Sequence, residues 1–367
     1  MFYYIFYKLL YSPDTPLSFF RLFRYITFRS IYAALTSLAL SFIIGPIVIG
    51  KLKKMQVLEV IREGIPQSHS AKGKTPTMGG IIILLCILIS VLLWARLDNI
   101  YVLLLIFTML SLGLIGYIDD YLKIKEKGKK GLIPRYKLAG QFIIGAIVIM
   151  TLILSLEPSD SFIYKKLFIP YLKVESIYIG AFFIPLSIFI MVWFSNAVNL
   201  TDGLDGLAIG SIIFSALALT ILTYVTGHFQ FARYLKIPFI DGTSEMAVFL
   251  AALLGASMGF LWFNSYPASV FMGDVGSLAL GGILGAAAIF IKQEILIIII
   301  GGIYVIEALS VVLQVISFKI WKKRIFLMAP IHHHFELKGW SEPKVIVRFW
   351  IIEIIFMLIS LSALKIR

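Results

Sequence analysis

Long apolar runs separated by short polar stretches set the pattern of this chain. Ten of them are about 20 residues long, the length a helix needs to cross roughly 30 Å of hydrocarbon. They fall approximately at residues 30 to 50, 77 to 95, 100 to 118, 138 to 156, 176 to 194, 205 to 226, 245 to 263, 275 to 291, 294 to 318 and 345 to 364. Together they use more than half of the 367 residues, which leaves loops of modest size and no room for a separate soluble domain. The pattern predicts one all-α, polytopic integral membrane bundle of about ten transmembrane helices, with residues 1–367 as a single transmembrane domain. Ahead of the first run, Met1 to Phe20 is aromatic and apolar, without a basic start or a small-residue cleavage site. It reads as a retained interfacial or membrane segment, not a signal peptide.

Composition agrees: 60% of the residues are apolar and 14% charged, against roughly 45–50% and 25% in soluble domains. Mean hydropathy is +0.95. The single cysteine, Cys86, lies inside an apolar run with no partner for a disulfide. A net charge of +13 would suit nucleic acid, but no aromatic-interleaved basic fold or zinc signature accompanies it, so nucleic acid is not expected as a partner. Its distribution says more. Alternate loops (51 to 76, 121 to 137, 194 to 204, 264 to 274 and 319 to 344) hold nineteen lysines and arginines, and the opposite loops with both termini hold thirteen. Basic residues mark the cytoplasmic side. The first set is therefore expected to be cytoplasmic, and both termini extracytoplasmic.

Four polar constellations stand out, and all lie in or beside that first set of loops. Asp119 and Asp120 end the third run. Adjacent carboxylates at a membrane boundary are costly unless solvated, paired or metal-bound. Lys123 is the plain counter-ion reading; the functional one is a pair that holds Mg²⁺ or activates a phosphate nucleophile. The second constellation is Ser195-Asn196-Ala197-Val198-Asn199-Leu200-Thr201-Asp202-Gly203-Leu204-Asp205-Gly206. Its polar residues recur every third position and drift off one helical face. A turn feeding a helix N-terminus is expected, with Asp202 as cap and Asp205 at the third helical position. Such a terminus attracts phosphate, and a cation would bridge phosphate and carboxylate. The third holds Asn264, Phe271 and Asp274, the last being the only acid between Glu245 and Glu294. Asp274 reads either as a helix cap or as the carboxylate from another loop that a magnesium site with Asp119 and Asp120 needs.

The fourth is His332-His333-His334 in the loop before the last run. Consecutive histidines cannot converge on one zinc ion as i, i+4 histidines do. Imidazoles that titrate near neutral pH suit binding or protonating a phosphate, and Lys322, Lys323 and Arg324 add positive charge. A solvated loop is the plain alternative. Lys72 to Gly80 is a basic turn whose Lys72 and Thr77 suit phosphate, without the Walker pattern of a P-loop. Glu307 and Gln314, two turns apart, read as a buried polar pair or a packing contact.

In order along the chain, TPTMGG (75 to 80), DD (119 to 120), NAVNLTDGLDGLA (196 to 208), WFNSYPA (262 to 268), FMGDVGSL (271 to 278) and APIHHHFE (329 to 336) resemble the polyprenyl-phosphate N-acetylhexosamine-1-phosphate transferases. The uninterrupted histidine triplet and TPTMGG favour the muramoyl branch of that family. The resemblance implies transfer of phospho-MurNAc-pentapeptide from UDP-MurNAc-pentapeptide to undecaprenyl phosphate, giving lipid I and UMP for the bacterial cell wall. It implies Mg²⁺, a multi-pass protein of the bacterial cytoplasmic membrane with its active site facing the cytoplasm, and it admits a homodimer. Catalytic loops are expected at about 51–76, 119–137, 194–206, 263–277 and 319–344. In its terms Asp274, with Asp119 or Asp120, holds the metal, and one of Asp119 and Asp120 deprotonates the lipid phosphate. His332, His333 and His334 with Lys72 and Thr77 bind phosphate. Asn196, Asn199, Asp202, Gly203, Asp205, Asn264 and Phe271 line the rest of the substrate site, its uridine end above all. A two-step route through an aspartate nucleophile also fits the residues. Rival readings are a sister transferase using UDP-GlcNAc, and a transporter. A transporter would place its carboxylates near the midplane, with repeated halves.

Overall fold

The computed structural model describes residues 1–55, 75–125, 131–156, 158–171 and 176–365. Its helices are α1 (Ile26–Lys54), α2 (Gly80–Trp94), α3 (Ile100–Lys125), α4 (Pro134–Ser155), α5 (Pro158–Tyr164), α6 (Phe183–Thr201), α7 (Leu207–Thr226), α8 (Phe229–Leu235), α9 (Met246–Asn264), α10 (Gly273–Phe290), α11 (Leu296–Ile300), α12 (Gly302–Trp321), α13 (Ile331–Leu337) and α14 (Glu342–Ser362). Among the described residues nine are long and apolar enough to cross a membrane, and the shorter apolar α2 makes a tenth apolar segment. One two-residue hairpin pairs Lys166–Leu167 with Ile177–Tyr178. The all-α membrane bundle expected from the sequence is the observed architecture.

Helix α10 forms the centre, and every residue from Asp274 to Phe290 is buried. Helices in lipid gain from close backbone approach, which small residues permit, and α10 is rich in glycine and alanine. A Cβ on Gly281 would lie 2.2 Å from the Phe194 carbonyl oxygen of α6, and one on Gly282 would lie 2.0 Å from the Leu112 side chain of α3. The α1–α9 pair uses the same device. A Cβ on Gly255 would meet the Ala34 carbonyl oxygen at 2.1 Å, and one on Gly259 the Ser41 side chain at 2.3 Å. Buried charge is paired: Arg29 of α1 donates two hydrogen bonds to Glu245, just before α9, at 2.8 and 2.7 Å.

Four expectations are corrected. The fifth span starts at Phe183 rather than 176 and runs on to Thr201. Polar side chains continue the helix there instead of ending it: Asn196 donates to the Val192 carbonyl and Thr201 to that of Ala197, each one turn back. Asp202 is consequently the C-cap of α6, not an N-cap, and α7 begins only at Leu207 behind Gly206, so Asp205 precedes the helix. The second span begins as helix only at Gly80. The run 294 to 318 is two helices broken at Gly301.

The N-terminal segment folds as two short helical turns, Tyr3–Leu9 and Pro16–Arg24. Phe2, Phe23 and Phe28 pack around Trp94 at the C-terminal end of α2. The N-terminal amine donates to the Leu92 carbonyl, and Tyr171 bonds Ile359 near the end of α14. Met1 and the C-terminal end of α14 thus lie at the end of the bundle remote from Asp119 and Asp120.

Candidate active site

Three helix ends converge because their contact points lack side chains. A Cβ on Gly116 of α3 would sit 2.1 Å from the Asp274 carbonyl oxygen, and one on Gly80 of α2 would sit 2.2 Å from the Gly276 nitrogen. The stretch before α2 is stitched to the one before α10: Phe271 donates to the Pro76 carbonyl, Gly79 to that of Phe271 and Gly80 to that of Met272, all at 2.8 Å. TPTMGG therefore clamps FMGD in place. Gly273 adopts φ +71, and a Cβ there would lie 2.6 Å from Asp120 Oδ2 and 3.0 Å from Thr77 Oγ1, so Thr77 and Asp120 flank the same glycine.

The result is a buried acidic trio. Asp119, Asp120 and Asp274 each offer a carboxylate oxygen within 4.8 Å of the others. Two lysines hold them together. Lys123 Nζ is 2.8 Å from Asp119 Oδ2, 3.4 Å from Asp120 Oδ1 and 3.0 Å from Asp274 Oδ2. Lys137 Nζ, from α4, is 3.3 Å from Asp119 Oδ2 and 2.6 Å from Asp274 Oδ2. Backbone donors complete the cluster: Leu132 N–H reaches Asp119 Oδ1 at 2.7 Å and Val275 N–H reaches Asp120 Oδ2 at 3.2 Å. Asp274 lies in the first turn of α10, where its carboxyl group meets both lysines and the Asp119 carboxyl group. Oxygen donors brought from two helices suit a hard divalent cation. With all five side chains ionised the cluster carries one net negative charge, so the residues present fit a metal ion.

A second group sits on α12, α13 and the turn before α7. The histidine triplet is on the short helix α13, where the His332 and His333 rings lie against each other with centroids 4.1 Å apart but turn their Nδ1 atoms to different partners. His332 is fully buried, with Nδ1 3.1 Å from Glu307 Oε1 on α12. Its Nε2 faces Gly203, whose Cβ, were there one, would lie 2.3 Å away. Among the described residues neither the Glu307 carboxylate nor the His332 ring has an aligned hydrogen-bond partner. His333 Nδ1 pairs with Glu336 at 2.8 Å, and His334 Nδ1 accepts from Leu327 N–H at 3.1 Å. Partial desolvation, then the Lys338 ammonium, holds the His334 pKa below the ordinary histidine value. Glu307 and Gln314 do not pair, since Gln314 instead ties down Ile325 and Phe326.

Asp205 and Asn264 tie the loops together. Asp205 Oδ2 accepts from Ala268 N–H at 2.9 Å. Asn264 accepts from Gly206 N–H at 3.1 Å and donates to the Val270 carbonyl at 2.8 Å. Glu342, not singled out in the sequence, accepts from Asp205 N–H at 3.0 Å. Asn196 donates to Gln141 at 2.7 Å. Asn199, Asp202 and Phe271 are half-buried at the same end of the bundle, and Lys72 lies outside the described residues.

Residues 102–292 match the family model described as Glycosyl transferase family 4. The phospho-N-acetylmuramoyl-pentapeptide-transferase of Thermodesulfovibrio yellowstonii is 53% identical over 362 residues, covering 98% of this chain and 99% of that protein. The protein of that name from Citrifermentans bemidjiense is 50% identical over 361 residues, with the same coverage. The chain belongs to the phospho-N-acetylmuramoyl-pentapeptide-transferase family. All three carboxylates of the trio, together with Lys123 and Lys137, fall inside the stretch that matches the family model. The histidine helix lies beyond it and comes within the full-length match to the relatives.

Proposed function

We propose that the protein transfers phospho-MurNAc-pentapeptide from UDP-MurNAc-pentapeptide to undecaprenyl phosphate, forming lipid I and UMP in peptidoglycan synthesis. The observation that carries the reading is the trio Asp119, Asp120 and Asp274 bound by Lys123 and Lys137 at one end of an apolar bundle. A polyprenyl chain can stay in the bilayer beside such an end while its phosphate reaches the carboxylates. The same reading puts this end in the cytoplasm of a bacterial inner membrane, where the basic loops collect.

The reaction joins an oxygen of the lipid phosphate to the sugar-linked phosphorus and breaks that phosphorus's bond to the bridging oxygen, which leaves with UMP. It needs charge neutralisation, alignment and a group that keeps the nucleophile ionised. Asp274 and Asp119 would hold Mg²⁺, which when bound neutralises diphosphate charge and polarises the phosphoryl oxygens. Lys123 and Lys137 bring further positive charge to the same oxygens. Asp120 is assigned as the proton acceptor from the lipid phosphate. Both oxygens of Asp119 are committed, to Leu132 N–H and to the lysines, whereas among the described residues Asp120 Oδ1 has only Lys123, at 3.4 Å. His332, backed by Glu307, supplies a donor for a phosphate oxygen. The turn 202–206 and Phe271 border the uridine end.

UMP release by the purified protein tests this, with undecaprenyl phosphate and either UDP-MurNAc-pentapeptide or UDP-GlcNAc, with and without Mg²⁺. Release with the muramoyl donor alone, lost in chelator, is expected. Preference for UDP-GlcNAc moves the protein to a sister activity, and silence with both donors overturns the assignment.

A further inference from the structure

The break between α11 and α12 lies in the interior, where a chain in hydrocarbon cannot leave backbone groups without partners. Two side chains take them up. Ser215 of α7 lies 3.0 Å from the carbonyl oxygen of Ile300, the last residue of α11. Glu353 of α14 accepts from the N–H of Ile303 in the first turn of α12, at 3.2 Å. Ser215 Oγ and Glu353 Oε1 also meet, at 2.6 Å. Both residues are fully buried. The Ser215 hydroxyl has one proton and faces two acceptors. Both contacts are satisfied together when Glu353 carries a proton and donates to Ser215, which then donates to Ile300.

The break itself provides little stiffness. Gly301 and Gly302 supply no side chain, and the Gly302 backbone lies against the Phe356 ring of α14, where a Cβ would come within 2.4 Å. The direction in which α12 leaves the break thus depends on what holds its first turn. One turn beyond Ile303 stands Glu307, the carboxylate facing His332.

We infer that Glu353, through Ser215, is a positioning residue: it fixes the start of α12 and so places Glu307 against His332. The inference rests on the transferase reading above, because the placement matters only if the histidine helix serves the transfer. It makes α14 part of the active-site framework although Glu353 touches no substrate. It also accounts for a carboxyl group buried between three helices with no cation beside it among the described residues, a position where an ionisable group is expensive and is retained for a use.

The test compares the full chain with Glu353→Gln, Glu353→Leu, Glu307→Gln and the Glu353→Leu/Glu307→Gln double variant, reading UMP release against both substrates and thermal unfolding in detergent. Glutamine keeps an acceptor for Ile303 and a donor for Ser215, so Glu353→Gln is expected within about threefold of wild type. Leucine removes both, and a loss of about tenfold or more in kcat with little change in either KM is expected. Because both changes act through one contact, the double variant should be no slower than Glu307→Gln alone. Should the leucine variant not fold, Ser215→Ala removes only the hydroxyl and carries the same expectation of a loss that does not multiply with Glu307→Gln. Wild-type kcat in a folded leucine variant, or losses that multiply, overturns the inference. A wild-type protein silent with both donors removes the function on which it rests, which separates the two failures.

Discussion

Lys137 of α4 places its ammonium 2.6 Å from Asp274 Oδ2 of α10 and 3.3 Å from Asp119 Oδ2 of α3, joining three helices through a single charge. Without Lys137 the trio keeps Lys123 but loses one of the two positive charges that offset its three carboxylates. Lys137→Met is therefore expected to lower kcat for UMP release by about 10²–10³, the range that loss of a charge-stabilising donor produces. Lys137→Arg, which keeps the charge, should retain part of the activity. Wild-type rates in a folded methionine variant would remove Lys137 from the site.

The acidic trio makes a second expectation. If its carboxylates hold the metal, Asp274→Asn removes one of few anionic oxygens, and the Mn²⁺ that purified wild-type protein binds, read by electron paramagnetic resonance, should weaken by about tenfold or more. Unchanged Mn²⁺ binding in the asparagine variant would place the ion elsewhere.

The trio is legible because carboxylates stand out in an apolar background: Asp119 and Asp120 are costly at a membrane boundary, and Asp274 is the only acid between Glu245 and Glu294. Lys137 is not, being one of seven basic residues in its loop, with nothing in spacing to say that α4 would turn it toward Asp274. The register of α6 was misplaced for a different reason. Hydropathy locates an apolar run, but Asn196 and Thr201 prolong the helix by bonding back to its own carbonyls, so the helix outlasts the run. The break at Gly301 was hidden by the converse effect, since apolar residues continue on both sides while Ser215 and Glu353, distant in sequence, take up the freed backbone groups. The motif points to Gly203 only as part of the uridine end, and nothing in its spacing shows that the glycine makes room for the His332 ring.

Gly203→Ala should expose that last relationship. A Cβ would meet His332 Nε2 at 2.3 Å, and overpacking of this kind costs about 1–3 kcal/mol. The variant is expected to melt earlier and to lose activity. Adding His332→Ala should restore the melting temperature without restoring UMP release. Equal melting of the single variant and wild type would show that the ring moves aside freely.

His334 gives a pH dependence with a definite sign. Its folded pKa lies below the ordinary 6.5 through desolvation and the Lys338 charge, and its Nδ1 accepts from Leu327. The unfolded chain takes up the proton first, so this contact contributes stability above about pH 6.5 and loses it as pH falls below that value. Unfolding followed between pH 5 and 8 should show a slope on the acid side that His334→Gln reduces; an unchanged slope would deny His334 any share in it.

The Arg29–Glu245 pair tests how the far end of the bundle is held. Arg29 is fully buried, Glu245 is 4% exposed, and the two share a bidentate contact between α1 and the start of α9. Either single change, Arg29→Leu or Glu245→Leu, strands a charge and should destabilise the protein by about 3–5 kcal/mol. The double change strands none. If the pair's desolvation cost offsets most of its attraction, the double variant should unfold closer to wild type than either single variant does. UMP release by that double variant should stay near wild type, because the pair lies at the opposite end from Asp274. Losses that simply add would mean that the pair contributes more than its own desolvation costs, so that the ion pair itself fastens α1 to α9.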